Sequence, residues 1–205
     1  SKASCAWNFD QKRRLFNLVP AGRMRLITPS QWLANLVAES FLSKCPVEVR
    51  HNTIDTSVFK PTPSDFRERY GIGDRFMILG VASPWTERKG LSDFVRLAGE
   101  LDSEKYAIVL VGLSEKQVKE LPAGIVGLTR TDSREELAGI YSTADVFFNP
   151  TVEDNYPTVN LEAEACGTPV VTYDTGGCRE AIFRSDSRVV AGFESAVSRI
   201  KELAA

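Results

Sequence analysis

The chain has 205 residues, 43% of them hydrophobic and 25% charged, with a net charge of −2. These are ordinary globular proportions, and the charge balance supplies no overall positive field to gather nucleic acid or anionic lipid, so any anion site has to be local. The four cysteines (Cys5, Cys45, Cys166, Cys178) form no C-x-x-C pair, the single histidine His51 cannot build a His-rich metal site, and no run of about 18 apolar residues is present to span a membrane.

In chain order, "SKASCAWNFDQKRRLF" lacks the continuous apolar core of a signal peptide, and with the unpaired cysteines this suggests a reducing, cytoplasmic setting. "MRLITP" (24–29) reads as a strand. "SQWLANLVAESFL" (30–42) reads as a helix with Ser30 as N-cap and Trp32, Leu33, Leu36 and Val37 on one face. "VEVRHN" (47–52) is a second strand, and His51 after it reads as structural rather than as a base. "KPTPSDF" (60–66), with two prolines, is a linker, followed by a short helix over 65–70.

Beyond Gly73 the alternation is regular. Strands are expected at 76–82, 106–112, 124–129, 145–150 and 168–174, with helices at 90–101, 114–120, 132–144 and 158–166 between them. The 132–144 helix is capped by Asp132 or Ser133; a short helix near 178–183, a strand in "SRVVA" and a helix over 192–204 close the chain. Apolar strands alternating with helices imply right-handed crossovers and a Rossmann-like parallel α/β sheet covered by helices on both faces. Such sheets bind ligands at the carboxyl ends of their strands. Here those ends are "GVASPWTERKG", "VGLSEK", "GLTRTD", "NPTVEDNYPT" and "YDTGGC".

Three features at that edge point to an anionic ligand. Pro157 suits the first position of a helix, leaving the amides of Thr158, Val159 and Asn160 to face an anion along the helix dipole. Glu162, one turn in, shares a face with Val159 and Cys166 and is suited to accept from two neighbouring hydroxyls such as those of a ribose. Glu164 falls on the other side of the helix and is expected to tolerate substitution. Arg88 and Lys89 precede a helix start and could neutralise a diphosphate. Gly176 and Gly177 allow close backbone approach to a ligand, although alone they read more readily as a simple strand-to-helix turn. No D-x-D, G-x-G-x-x-G or G-x-x-x-x-G-K-[ST] occurs, so charge compensation by cations and amides, without a metal, is the expectation. Trp85 reads equally well as a ligand shield or as a core residue.

These residues carry a resemblance. "ITPSQWLANLV", "HNTIDTSVFKP", "ERKG", "ELAGIYSTADVFFNPT" and "EDNYPTVNLEAEACGTPVVTYDTGG" occur in the order and spacing of the retaining nucleotide-sugar glycosyltransferases of the GT-B fold, the E-x7-E family known as glycosyltransferases group 1. The resemblance covers about 24–182 and implies the donor half of such an enzyme. Residues 1–55 would then be a remnant of the acceptor-side domain and 56–205 the donor-binding domain.

It further implies roles: Glu162 on the donor ribose; Asp154, or Glu153 beside it, facing the transferred sugar; and Arg88 and Lys89 on the diphosphate with the Thr158 and Val159 amides. Leu113, Thr129 and Arg130 would border the base, and Asn155, Tyr156 and Pro157 would complete the donor wall. The donor would be a UDP- or GDP-sugar rather than an ADP-sugar, and no cofactor is implied. The acceptor would be a glycan or glycolipid in polysaccharide biosynthesis, with the full-length enzyme at the inner face of the membrane. Two departures stand out: Asp154 replaces the usual Glu, and "GVASPW" lacks the family's Gly-Arg. With so little of an acceptor side, the chain alone is expected to bind donor but transfer weakly; the alternative is a non-catalytic nucleotide-sugar-binding module.

Overall fold

The computed structural model describes residues 2–205, with side chains from Ser4 onward. Contacts divide the chain into two compact units, Ser1–Asn52 and Thr53–Ala205.

The first unit holds α1 (Lys2–Phe16), β1 (Leu26–Thr28), α2 (Gln31–Ala38) and β2 (Val47–Val49), with β1 and β2 paired in parallel from Leu26↔Val47 to Thr28↔Val49. Helix α1 is not foreseen from sequence: it has no acidic first turn, and its large apolar residues Trp7, Phe9, Leu15 and Phe16 are exposed instead of forming a buried stripe. Helix α2 starts as expected, with Ser30 Oγ accepting from Leu33 N at 3.1 Å. It ends at Ala38, short of the expected 42. The Ser40 hydroxyl donates to the Val37 carbonyl (2.8 Å) and accepts from Leu42 N (3.0 Å), and this local turn competes with further helix. Leu36, expected on the inner face, is exposed, and Ala34 is buried instead.

The second unit contains α3 (Phe66–Arg69), β3 (Phe76–Val81), α4 (Leu91–Glu100), β4 (Tyr106–Val111), α5 (Glu115–Glu120), β5 (Ile125–Leu128) and α6 (Arg134–Thr143). It continues through β6 (Val146–Asn149), α7 (Thr158–Ala165), β7 (Val170–Tyr173), β8 (Arg188–Val190) and α8 (Phe193–Leu203). Ser133 is the cap of α6, its Oγ accepting from Glu136 N at 3.0 Å. The helix expected near 178–183 is a 3-10 turn, Cys178–Ala181.

The strands form one six-stranded parallel sheet in the order β5-β4-β3-β6-β7-β8. Period-two alternation sends neighbouring residues to opposite faces. Met77, Leu79, Val109 and Phe147 join one buried cluster, while Ile78, Ile108, Leu110, Val146 and Phe148 join the other. Each such large apolar side chain contributes about 1.5–3 kcal/mol of burial. Asp145, which ends the Y-x-x-A-D pattern, locks the amino edge of the sheet: its Oδ2 accepts from Met77 N at 2.7 Å and from Arg67 Nη2 at 2.6 Å.

The strand order reverses between β3 and β6, where a ligand crevice is expected in such a sheet. The register shows why a space opens there. β3 pairs with β6 only at Ile78↔Val146 and Leu79↔Phe147, whereas β3 follows β4 as far as Val81↔Val111 and β6 follows β7 as far as Asn149↔Thr172. The carboxyl ends of the two central strands therefore part company.

Candidate functional site

Where β3 and β6 separate lies a cavity of about 160 Å³, lined by Val81, Ala82, Ser83, Trp85, Lys89, Phe148, Asn149, Pro150 and Val159. Three elements supply it: the end of β3, the end of β6, and the start of α7. Lys89 reaches it from the 3-10 turn Glu87–Lys89. Gly90 follows at φ 76°, and a Cβ there would stand 2.5 Å from the Pro150 carbonyl oxygen, so only glycine lets this turn lie against the end of β6.

The Arg88–Lys89 turn is stitched to the loop before α7. Val152 N donates to the Arg88 carbonyl (2.9 Å), as does the Thr151 hydroxyl (3.2 Å), and Arg88 Nη1 donates to the Glu153 carbonyl (3.0 Å). Lys89 Nζ lies 2.7 Å from Asp154 Oδ2, in a pair whose side chains are roughly four-fifths buried. Asp154 Oδ1 also accepts from Tyr156 N at 3.2 Å. The two cations and the α7 loop thus come together, but only Lys89 lines the cavity; Arg88 is exposed beside it. Of the two adjacent acids, Asp154 is the one turned toward Lys89.

Helix α7 begins at Thr158, as its expected span has it. Pro157 is its N-cap (φ −71°, ψ 108°) rather than its first residue. The Asn160 amide, expected to be free, donates to the Pro157 carbonyl at 3.2 Å, whereas those of Thr158 and Val159 have no acceptor among the described residues. Two amides remain at the positive end of the helix dipole. The Gly176–Gly177 turn packs on the same loop before α7. Gly177 N donates to the Asp154 carbonyl (2.9 Å), and a Cβ on Gly176 (φ 56°) would stand 2.0 Å from that same oxygen. The glycines let the chain approach the Asp154 loop closely.

Glu162 lies partly buried one turn into α7, where Tyr141 Oη donates to its Oε2 at 3.1 Å. Burial pushes its carboxyl above the ordinary range, against the opposing pull of the Tyr141 hydroxyl and of Arg134. Burial likewise raises Cys166, at the end of the helix, to about 11, so its thiol stays neutral. Glu164 does not fit the tolerance expected of it. Its Oε2 accepts from Phe183 N (2.8 Å), and its Oε1 accepts from Arg184 N (3.1 Å) and Ser187 Oγ (2.6 Å). The helix geometry turns it away from the cavity as expected, but it ties down the 183–187 loop.

Tyr156 is buried, and burial raises its phenol. Asn155 is exposed. At the ends of β4 and β5, Leu113 is buried in the core, while Thr129 and Arg130 are exposed. Trp85 is a core residue, with its Nε1 donating to the Val111 carbonyl at 2.9 Å and its ring edge-on to Phe94. One edge of it still reaches the cavity. His51 Nδ1 donates to the Pro29 carbonyl at 2.8 Å, a structural bond.

Sequence reasoning misses the side chains of Tyr141, Asn149 and Asn160. Asn149 Nδ2 donates to Asn160 Oδ1 at 2.8 Å, and the buried Asn160 Nδ2 has no partner among the described residues. An asparagine ending the apolar run "VFFN" is the signal that could have drawn attention to this pair.

A larger depression, about 760 Å³, lies at the opposite, amino edge of the sheet, lined in part by Arg67, Arg75, Lys105 and Asp145. Its guanidinium groups are committed. Arg67 donates to the Thr143, Gly73 and Arg75 carbonyls and to Asp145, and Arg75 to those of Ile72, Gly71 and Ser103. Size alone does not make it the site; the free amides and Lys89 are at the carboxyl edge.

Comparison with known proteins places this geometry in a family. Residues 75–205 match the family model described as glycosyl transferases group 1. The chain is 50% identical over 181 residues to the D-inositol 3-phosphate glycosyltransferase of Arthrobacter sp. (strain FB24), covering 79% of this chain and 42% of that protein. It is 31% identical over 172 residues to a GDP-mannose-dependent alpha-(1-6)-phosphatidylinositol monomannoside mannosyltransferase of Mycolicibacterium smegmatis, covering 75% and 45%. Among solved structures, the Anabaena protein Alr3699/HepE in complex with UDP-glucose superposes with a TM-score of 0.72 at 20% identity, over 95% of this chain and 57% of that one, a likeness of fold. The chain spans less than half the length of these two curated relatives. With a match over well over half its length, and with the sheet order and strand-end cavity described above, the chain belongs to the group 1 glycosyltransferases.

Proposed function

We propose that the protein takes part in moving a sugar from a nucleotide-sugar donor to an acceptor, with retention of anomeric configuration and without a metal, and that this chain is the donor-binding part. The observation that carries the reading is the convergence of Lys89 and Val159 on one cavity at the sheet's switch point, with the Thr158 and Val159 amides free at the start of α7. At about 160 Å³ the cavity is smaller than the roughly 300–1,000 Å³ of sites that enclose a drug-sized ligand, a size that suits the diphosphate alone. An ammonium has three donors, so Lys89 can keep Asp154 and still offer two to phosphate oxygens. As the bond from sugar to diphosphate breaks, negative charge grows on the diphosphate, where fixed amides and a cation stabilise it most. Arg88, exposed next to Lys89, adds a second charge at the rim.

Glu162 accepts from the ribose hydroxyls, and Asp154, held by Lys89, faces the transferred sugar; Tyr156, Pro157 and Asn155 shape the loop between them. The base lies toward Leu113, Thr129 and Arg130. The donor is a UDP- or GDP-sugar, in keeping with the GDP-mannose named for the Mycolicibacterium relative and the UDP-glucose of the Anabaena complex. The acceptor is a glycan or glycolipid, and the reaction takes place on the cytoplasmic side of the membrane. No helix among the described residues is long and apolar enough to cross a membrane.

Calorimetric titration with UDP-, GDP- and ADP-sugars tests the reading. One of them should bind, chelator should leave the affinity unchanged, and Lys89→Met should weaken binding by about 1.5–3 kcal/mol, the range for hydrogen bonds to charged groups. Unchanged affinity in the variant would remove the diphosphate from this cavity. The engagement of Asp154 by Lys89 also favours a second reading, a nucleotide-sugar-binding module without catalysis. Asp154→Asn separates the two: in a transferase containing this chain turnover should fall while donor binding remains, and undiminished turnover would remove the proposed role of this acid.

A further inference from the structure

We propose that Tyr141 is a positioning residue for the ribose-binding carboxylate, holding Glu162 in one orientation and as a pure hydrogen-bond acceptor; the inference rests on the ribose role proposed for Glu162. Tyr141 lies in α6, fully buried, with its ring edge-on to Phe147 (5.5 Å, 69°) and to Phe59 (6.2 Å, 74°). Its carbonyl accepts from the Thr168 hydroxyl at 2.5 Å. Ring and backbone are thus both fixed, and the phenol hydroxyl, its one donor, is directed at Glu162 Oε2.

The chemistry of that contact suits a diol-binding site. A carboxylate offers about four lone-pair positions, and a phenol uses one of them without adding charge. The others stay available for two hydroxyls. A cation in the same place would compete with the ligand for the carboxylate. A protonated carboxyl would turn one of its oxygens into a donor and lose half its capacity. Burial favours that protonated form, and the Tyr141 hydroxyl opposes it.

The groups that act on Glu162 are few. Tyr141 and Arg134 come from α6, and the neutral Cys166 thiol lies one turn along α7. Arg134 is itself drawn toward Asp55, at 3.8 Å, and sits over the Phe59 ring, so its pull on Glu162 is indirect. Burial and the nearby carboxylate raise the Tyr141 phenol well above its ordinary range, which keeps it a donor at every working pH.

The test compares each of UDP, GDP and ADP with its 2′,3′-dideoxy form by calorimetry across pH 5–8, on the unaltered protein, Tyr141→Phe and Glu162→Ala. The unaltered protein should prefer the ribose form by about tenfold or more, the value of one or two good hydrogen bonds to a charged group. Tyr141→Phe keeps the ring, so it should lose most of that preference, move the acid limb of binding to higher pH, and leave affinity for the dideoxy form unchanged. A 3-fluorotyrosine at position 141, a stronger donor, should move the acid limb the other way, an arm that does not depend on losing the hydroxyl. Retention of the full preference and the same acid limb in Tyr141→Phe would overturn the proposal. So would equal weakening of ribose and dideoxy forms, the mark of a merely structural role. If Glu162→Ala keeps the preference, or if none of the three nucleotides binds, the ribose reading itself falls and this proposal with it. If Glu162→Ala loses the preference and Tyr141→Phe does not, only the role of Tyr141 falls.

Discussion

The two units differ in what they do with their apolar residues. In Ser1–Asn52, Ala34 and Cys45 are the buried apolar side chains among the described residues, while Trp7, Phe9, Leu15, Phe16, Leu18 and Val19 are exposed, as are Ile27 on β1, Leu36 on α2 and Val47 on β2. Its sheet is a single parallel pair, and an isolated two-stranded sheet is marginally stable in water. In Thr53–Ala205, six parallel strands are covered on both faces by the two buried clusters, and large exposed apolar residues reduce to Tyr70, Val95, Val152 and Phe183. The lesson is that the packed core and the candidate donor site both lie in the second unit. The cavity lies where its central strands part, and the residues that line it belong to that unit.

That contrast can be broken by mutation. Leu79→Ala, in the middle of β3, should cost about 2–5 kcal/mol, the usual range for a large-to-small change in a packed core. Calorimetric unfolding would measure it, and a cost below about 1 kcal/mol would mean the second unit is less well packed than its burial indicates. Gly176→Ala should cost roughly 1–3 kcal/mol, since it combines a left-handed backbone with a Cβ 2.0 Å from the Asp154 carbonyl oxygen. It should also weaken nucleotide-sugar binding by shifting the loop that carries Asp154. Glu164→Ala should cost about 1–3 kcal/mol by stranding three donors. A neutral result would return that residue to the tolerant position its helix face alone suggests.

Glu162→Gln sharpens the comparison in the other direction. The carboxyl is raised in the folded state, so its ionised form is disfavoured by folding: the penalty is full above the raised value and absent below the ordinary carboxyl value of 4.5. The glutamine variant should therefore unfold at a higher temperature than the unaltered protein at pH 8, with the gap closing as pH falls toward 4. Its nucleotide binding should weaken over the same range. A variant less stable at pH 8 would give Glu162 a structural role. The smallest effect is expected in the first unit. Leu36→Ala, at an exposed site, should change stability by no more than about 0.5 kcal/mol in denaturant unfolding.

Much of the second unit was legible because its strands are short apolar runs punctuated by glycine, proline and capping residues, and every expected strand of the main sheet is present. Lys89 and Glu162 were singled out from their places at a strand end and a helix start, and Asp154 from the resemblance; the fold brings Lys89 and Asp154 together. What was not legible depended on contacts across the chain. Tyr141 reads as one more apolar residue of α6 until the fold brings its hydroxyl to Glu162, 21 positions away. The glycine turn reads as a plain turn or a ligand approach, and its bond from Gly177 to the Asp154 carbonyl is not visible in the sequence. The Glu164 error has the same origin: a helical wheel tells which way a side chain leaves the helix, not that a loop 19 residues on needs its oxygens. In the first unit, α1 carried no amphipathic signal because its apolar residues are not buried within that unit.

The central claim is that the donor's diphosphate rests where β3 and β6 separate, against the start of α7. Titration with UDP-glucose or GDP-mannose followed by amide NMR tests it most directly. The largest shifts should fall on the Thr158 and Val159 amides, with the Lys89 turn close behind. Shifts confined to Arg75, Tyr106 and their neighbours at the amino edge, with Thr158 and Val159 unmoved, would contradict it.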